Sequence, residues 1–176
     1  MQTRDNHLIF KGLVVNIEQM DVQVGCKGWH TYQVVRHPGG VAVLPLHDDG
    51  SVTLIRQLRP AISTFTIELP AGRLEPGENP ADCARRELLE ETGLSGMITD
   101  SIGEKSYWFF LKDENAKCKK TVTYFLLKHV SGEVSNSSPE VDEVGWFQID
   151  RAMALITFSS DREILSAAKE KIEADV

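Results

Sequence analysis

Three glutamates lie within five residues of one predicted helix, an arrangement that suits a divalent cation. Glu87 and Glu91 are four residues apart and Glu87 and Glu90 are three apart, so their carboxylates share one helix face. Like charges at these spacings weaken an isolated helix by roughly a few tenths of a kcal/mol per pair, unless a cation lies between them. Mg²⁺ or Mn²⁺ fits, because these hard cations take oxygen ligands and keep positions for water and phosphate. The residues therefore predict metal-assisted chemistry on a phosphate compound.

The helix that carries these glutamates has clear local signals at both ends. Asn79 is a good N-cap, and Pro80 suits the first helical position, where its missing N–H costs nothing. Gly93 is a good residue for the left-handed position after the last turn. We therefore expect a helix from Pro80 to about Thr92.

Alternating apolar residues and turn signals predict several strands around this helix. A small antiparallel sheet is expected near the N-terminus, and a Pro38-Gly39-Gly40 break marks the start of the main domain. This divides the chain into an extension, residues 1–37, and a domain, residues 38–176. The strands are expected at 8–10, 13–22, 32–35, 41–46, 51–55, 65–70, 98–102, 106–111, 121–130 and 144–149, and a second helix from Ser160.

Composition narrows the classes of protein further. The chain has 176 residues, 41% of them hydrophobic and 26% charged, as expected for one globular domain. Its net charge of −7 disfavours nucleic-acid partners, whose phosphates are met mainly by Lys and Arg. No apolar run is long enough for a membrane span, and no secretory leader is visible, so we expect a cytoplasmic protein without a membrane partner.

The glutamates belong to a longer pattern that resembles the Nudix box. Its nine positions span 23 residues: Gly72, Glu78, Arg86-Glu87-Leu88, Glu90-Glu91 and Gly93-Leu94. The resemblance implies a mixed-sheet α/β (α+β) fold, a Nudix-type α/β/α sandwich, here preceded by a small N-terminal antiparallel β extension.

The resemblance also implies roles for the box residues. Glu87 and Glu91 would hold the metal together with the backbone carbonyl of Ala71, the residue before the box glycine. Glu90 would be a further ligand or the catalytic base. Arg86 would orient these carboxylates, and Glu78, its partner on the loop, is grouped with the substrate-binding residues.

Outside the box, the sequence is similar to the ADP-ribose pyrophosphatase branch. The similar stretches are Arg36 to Val43, Arg56 to Pro60 and Ile67 to Gly72. In that branch the N-terminal extension commonly exchanges across a homodimer and supplies aromatic stacking for adenine. The resemblance implies a homodimer, stacking by Trp29 or Tyr32, and a substrate contact by Arg59; Trp29 and Tyr32 could equally just cover the small sheet.

The C-terminal half departs from that branch. The branch usually has a proline about sixteen residues after the box, followed by a loop with a catalytic glutamate, and no proline lies between Pro80 and Pro139 here. Glu114, or else Asp113, could take the role of that glutamate on a polar loop. The stretches Lys120 to Phe125 and Pro139 to Trp146 instead resemble Nudix enzymes that act on dinucleoside polyphosphates or related polyphosphates.

The implied activity is a Mg²⁺-dependent pyrophosphohydrolase that cleaves the diphosphate of a nucleoside diphosphate linked to another moiety. ADP-ribose or another nucleotide sugar is the leading substrate. Dinucleoside polyphosphates or oxidised nucleoside triphosphates are the alternative. A non-catalytic nucleotide-sensing module is a third class, but such modules typically lose box carboxylates, and this chain keeps all of them.

Overall fold

The computed structural model describes residues 2–111, 116–135 and 138–174. Asp113 and Glu114, the two candidates for the loop carboxylate, lie outside these ranges. The chain divides into two compact units. The small unit comprises Met1–Gly39 and Ser106–Thr121, and the large unit comprises Gly40–Lys105 and Val122–Val176.

The small unit contains the predicted N-terminal antiparallel sheet. Its strands are β1 (Thr3–Lys11), β2 (Asn16–Gln23) and β3 (Trp29–Arg36). β2 pairs antiparallel with both neighbours. β1 is longer than predicted because it is exposed at every position, so no alternation of apolar residues marks its length. The predicted extension ends at residue 37 and does not include residues 106–121, whereas the small unit contains them. The division into an extension and a domain stays a prediction.

The large unit has a sheet flanked by helices, and two of its strands, β8 and β9, also contribute residues to the small unit. Its elements are β4 (Gly40–Leu46), β5 (Ser51–Arg59), β6 (Thr64–Glu68), β7 (Ala71–Arg73), α1 (Pro80–Thr92), β8 (Ser95–Leu111), β9 (Ala116–Ser131), β10 (Val141–Gln148), α2 (Ile149–Leu155) and α3 (Ser159–Ala174).

The sheet of the large unit is mixed, as predicted. β4 runs parallel to β9, with Val41 opposite Thr123, and antiparallel to β7. β5 pairs antiparallel with β6 and with β10. A parallel pair requires a long crossover connection, and the chain between β4 and β9 provides it.

Helices pack on both faces of this sheet. Val43 of β4 packs with Leu88 of α1 in a buried cluster, and both are at most 1% exposed. Side chains alternate between the two faces along a strand. Tyr124 of β9 points to the face opposite α1, where its hydroxyl donates to Asp161 of α3 at 3.2 Å. The fold is therefore helix, sheet and helix in layers, and the predicted fold class is confirmed.

In the large unit, three elements differ most from the sequence prediction. β7 has only three residues, and α2 only seven, too few to show a period. β8 continues through Gly103, whose φ is +140°, where two separate strands were expected. None of the helices in the described ranges has the length and apolar content of a membrane-spanning segment.

Candidate active site

Helix α1 begins and ends as its sequence predicts. Asn79 accepts a hydrogen bond from the backbone N–H of Ala81 at 2.8 Å, and Pro80 occupies the first turn. Gly93 takes the left-handed conformation, with φ of 75°, and its N–H donates to the Leu89 carbonyl. These caps fix which residues of the helix face the sheet and which face the loop before it.

The three box glutamates differ in burial. Glu87 and Glu91 are buried, 9% and 6% exposed, whereas the Glu90 side chain is 58% exposed. Leu88 between them is 1% exposed in the core cluster. The helix therefore packs through its apolar side and also buries two carboxylates.

Arg86 joins the loop to the carboxylates. Its Nε and Nη2 donate to the two oxygens of Glu78 at 2.9 Å each, a bidentate contact. Its Nη1 donates to Glu87 at 2.7 Å and to Glu90 at 3.2 Å, and Nη2 also donates to the Arg73 carbonyl. Arg86 thus contacts both Glu87 and Glu90. The orienting role that the resemblance implies for it stays a prediction.

Glu78 serves this arrangement rather than the open surface. The Arg86 guanidinium holds the pKa of the Glu78 carboxyl down, to about 2, and the Glu75 backbone N–H contributes. Glu78 is not among the residues that line the acidic cavity described below. Its predicted substrate contact stays a prediction, and its observed partner is Arg86.

The turn after β6 brings the backbone against the helix. The Ala71 N–H donates to Glu91 Oε2 at 2.8 Å, and the N–H of Val43 donates to the Pro70 carbonyl at 2.8 Å. A Cβ built on Gly72 would overlap the carboxyl group of Glu87. Only glycine allows the chain to approach this carboxylate so closely.

Burial changes the acidity of both inner carboxyl groups. It raises the pKa of Glu91 to about 8, although the hydrogen bond from the Ala71 N–H lowers it. The charges of Glu87 and Glu140 raise it further. Burial also raises the pKa of Glu87, although Arg86 favours its charged form. Two carboxyl groups that resist ionisation side by side favour a cation in the same space.

A cavity of about 540 Å³ opens beside these groups. It is lined by Ala71, Gly72, Arg73, Glu75, Arg86, Glu87, Glu90, Glu91, Ser138, Pro139 and Glu140. We call it the acidic cavity. A larger cavity of about 670 Å³ lies beside Leu46. Its aspartates, Asp48 and Asp100, already pair with Lys128 and Lys171, so it offers no comparable carboxylate cluster.

Glu140 is one of the cavity residues that sequence reasoning did not single out. It precedes β10 and lies 49 positions after Glu91, so no local period connects the two. The available signal was its place in the Pro139 to Trp146 stretch, which resembles polyphosphate-acting relatives. The structure brings its charge close enough to Glu91 to affect the pKa there.

The predicted substrate residues fall in different places. Arg59 belongs to the large unit, and its guanidinium interacts electrostatically with Glu91 and Glu140. Trp29 and Tyr32 belong to β3 of the small unit, are each 38% exposed, and Trp29 contacts Arg4 through its ring. Their stacking role stays a prediction.

The donor chemistry of the acidic cavity fits a hard divalent cation. Among the described residues, no three His, Cys, Asp or Glu side chains stand ready as a complete metal-binding set. Glu87 and Glu91 each use one oxygen in a hydrogen bond to Arg86 or Ala71 and keep the other. Carboxylates and a backbone carbonyl are the ligands that Mg²⁺ takes alongside water.

Comparison with known proteins identifies the family. The NUDIX domain model matches residues 36–168, which include α1 and every residue of the acidic cavity. The chain therefore belongs to the Nudix family. A solved NUDIX hydrolase from Nitrosomonas europaea has a TM-score of 0.60 at 22% identity, covering 77% of this chain and 90% of that one. This likeness confirms the Nudix fold.

Two curated relatives differ in the activity that their names state. The ADP-ribose pyrophosphatase of Bacillus subtilis is 41% identical over 94 residues, 53% of this chain and 51% of that protein. The 8-oxo-(d)GTP phosphatase of Mycolicibacterium smegmatis is 30% identical over 129 residues, 73% of this chain and 34% of that protein. The chain spans about half the length of the Bacillus protein and 34% of the Mycolicibacterium protein. Neither name therefore transfers directly.

Proposed function

We propose that this Nudix chain is a Mg²⁺-dependent pyrophosphohydrolase that cleaves the diphosphate of a nucleoside diphosphate linked to another moiety. The acidic cavity carries the proposal, because Glu87, Glu90, Glu91 and Glu140 all line it. A protein of net charge −7 needs a cation to accept a polyanion there. Hydrolases of the family generally use divalent metals such as Mg²⁺.

Glu87, Glu91 and the Ala71 carbonyl would hold the ion, with Glu90 as a further ligand or base. A bound Mg²⁺ would supply a more acidic water and neutralise charge on phosphate oxygens. Arg86 keeps Glu87 and Glu90 in place through its hydrogen bonds at 2.7 and 3.2 Å. Glu140 lines the same cavity and is a further candidate for the base, in addition to Glu90 and Glu114.

ADP-ribose or another nucleotide sugar is the first choice of substrate. One of the stretches similar to the ADP-ribose pyrophosphatase branch, Ile67 to Gly72, contains Ala71 and Gly72 of β7, which line the cavity. The Bacillus subtilis relative bears that name. Arg59, which that resemblance assigns to the substrate, lies within electrostatic reach of Glu91.

Polyphosphate compounds are the second choice, and Glu140 favours them. It lies in the stretch that resembles polyphosphate-acting Nudix enzymes and lines the cavity. The relative named 8-oxo-(d)GTP phosphatase matches more of the chain, 73%, than the Bacillus relative does. An oxidised nucleoside triphosphate or a dinucleoside polyphosphate would present the extra phosphates.

A homodimer joined through the small unit is part of the proposal. β1 and the turn after it expose a row of apolar side chains, with Leu13 92% and Phe10 54% exposed. An edge strand with such residues invites pairing with another strand. We place the protein in the cytoplasm, as its composition predicts.

A substrate panel tests the proposal. Phosphate release with Mg²⁺ would be measured for ADP-ribose, other nucleotide sugars, dinucleoside polyphosphates and oxidised nucleoside triphosphates, with phosphatase added where the product requires it. The highest kcat/KM on ADP-ribose or a nucleotide sugar supports the first choice, and the highest on a polyphosphate supports the second. No hydrolysis of any compound would contradict the proposed activity and favour a sensing module.

A further inference from the structure

Arg86 has no donor left for a substrate. Its Nε, Nη1 and Nη2 donate to Glu78, Glu87 and Glu90, and Nη2 also meets the Arg73 carbonyl and the Cys83 sulfur. A guanidinium carries five N–H donors in a fixed fork, and these contacts use them. Beside the proposed metal ion, a phosphate group in the acidic cavity would therefore need a side chain other than Arg86.

Arg59 does not itself line the acidic cavity, but the charges of the cavity wall act on it. Its guanidinium interacts electrostatically with Glu91 and Glu140, two residues of the cavity wall. Its Nε and Nη2 donate to Glu68, the first of them at 2.8 Å. Within the part of the chain that the structure describes, its Nη1 has no hydrogen-bond partner. One edge of the guanidinium is held, and the other edge is open.

The Glu68 carboxylate, which holds that edge, is buried and hydrogen-bonded on the same face of the hairpin. Residues alternate between the two faces of the β5–β6 hairpin, and Gln57, Arg59, Thr66 and Glu68 share one face. Glu68 is 5% exposed, Gln57 3% and Thr66 0%. Gln57 Nε2 and the Thr66 hydroxyl both donate to the Glu68 carboxylate, in addition to the two bonds from Arg59.

A buried carboxylate with four donors has one fixed orientation. It costs free energy to bury such a charge, and the cost is offset only while its hydrogen bonds are kept. The planar fork of Arg59 then has one preferred plane, because both of its bonds end on the same carboxylate. The open Nη1 is therefore fixed as well.

We propose that Glu68 is a positioning residue that clamps the Nε and Nη2 edge of Arg59 and so directs Nη1 to a phosphate oxygen of the substrate in the acidic cavity. Glu68 does not touch the substrate itself. The proposal rests on the proposed function for the identity of the ligand, a nucleoside diphosphate compound, but it concerns only residues of the β5–β6 hairpin.

A double-mutant cycle tests the proposal on the full chain. The variants are Glu68→Gln, Arg59→Met and the double variant, with kcat and KM measured on the best substrate of the panel. Loss of a charge-assisted contact predicts a fall in kcat/KM of about tenfold to hundredfold for each single variant, mostly through KM. Because Glu68 acts through Arg59, Glu68→Gln should change nothing further in the Arg59→Met background. Independent, multiplying effects would overturn the proposal.

A binding measurement separates this proposal from the proposed function. Each variant is titrated calorimetrically with methylenediphosphonate, a pyrophosphate analogue that resists hydrolysis, in the presence of Mg²⁺. Both single variants should weaken binding by the same factor and the double variant by no more. Equal affinity in all four proteins overturns the positioning role. The titration can be done even if the panel shows no hydrolysis. Failure of the proposed activity is therefore distinguished from failure of the positioning proposal.

Two further variants control for folding. Asp161→Asn changes another buried carboxylate that interacts with Glu68 but has no contact with Arg59, and it should leave kcat/KM unchanged. If Glu68→Gln does not fold, Thr66→Val replaces it. That change removes one hydroxyl bond to Glu68 and should raise KM severalfold only when Arg59 is present. The same effect with Arg59→Met would overturn the proposal.

Discussion

The backbone N–H of Ala71 donates a hydrogen bond to Glu91 Oε2 at 2.8 Å. This bond connects the β7 segment to the most buried glutamate of α1, so the carbonyl of Ala71 and the carboxylate of Glu91 are held beside the same cavity. The two predicted metal ligands are thus oriented by each other, before any cation binds.

Replacing Glu91 by Gln should separate activity from stability. Gln keeps the shape and can still accept from the Ala71 N–H, but it loses the charge, so hydrolysis should fall by about a hundredfold or more. Burial raises the Glu91 pKa to about 8, so its ionisation opposes folding without metal. The metal-free variant should then be more stable than wild type at about pH 8, by roughly 1 to 3 kcal/mol. Urea unfolding and initial rates measure the two effects.

Glu170→Gln is the matched control for that variant. Glu170 lies on α3 and is exposed, so the same chemical change there should alter neither rate nor stability. Wild-type turnover in Glu91→Gln, with Mg²⁺ present, would show that Glu91 is not a ligand.

Gly72→Ala should disturb the site by overlap. The new methyl group would meet the Glu87 carboxyl group, so we expect a loss of roughly 1 to 3 kcal/mol in unfolding free energy and most of the activity. Adding Glu87→Ala removes the overlap and should restore stability but not hydrolysis. Thermal unfolding of the single and double variants checks this. A double variant as unstable as Gly72→Ala would mean that the strain lies elsewhere.

Arg86→Lys should weaken both the fold and the site. A lysine cannot replace the bidentate contact with Glu78 and the bonds to Glu87 and Glu90 at once. We expect about 2 kcal/mol less stability and at least tenfold slower hydrolysis. Arg85→Lys, one residue earlier, is the control, because Arg85 contacts Asp82 and the Ala81 carbonyl at the exposed surface of the helix. Equal effects at the two positions would contradict the orienting role of Arg86.

The sequence predicts helix α1 and its carboxylates well because their determinants are local. The N-cap Asn79 and the terminal Gly93 act within one turn of the helix, and the glutamate spacing follows from the helical period. Glu140 and the Arg59–Glu68 contact depend on strand pairing between distant or adjacent segments, which no local period encodes. The sequence also contains no sign that Arg86 uses all its donors.

Asp161 predicts how stability depends on pH. Burial raises its pKa from 3.8 to about 6, although the hydrogen bond from the Tyr124 hydroxyl lowers it. The charge of Glu68 raises it further. As pH rises, Asp161 therefore loses its proton in the unfolded chain before it does so in the folded one. Its contribution to the free energy of unfolding falls between about pH 4 and about pH 6 and stays low above that. Asp161→Asn lacks the effect and should gain stability relative to wild type across that range. Urea midpoints at several pH values measure it; a constant difference would contradict the raised pKa.

The most direct test of the proposed reaction is the requirement for metal at the box carboxylates. Cleavage of the best panel substrate would be followed with Mg²⁺ and with excess EDTA, for wild type and for Glu87→Gln. We predict cleavage by wild type only with Mg²⁺, and a rate at least about a hundredfold lower for Glu87→Gln. Wild-type cleavage that continues in EDTA, or a Glu87→Gln variant that keeps the wild-type rate, would contradict a metal-dependent reaction in the acidic cavity.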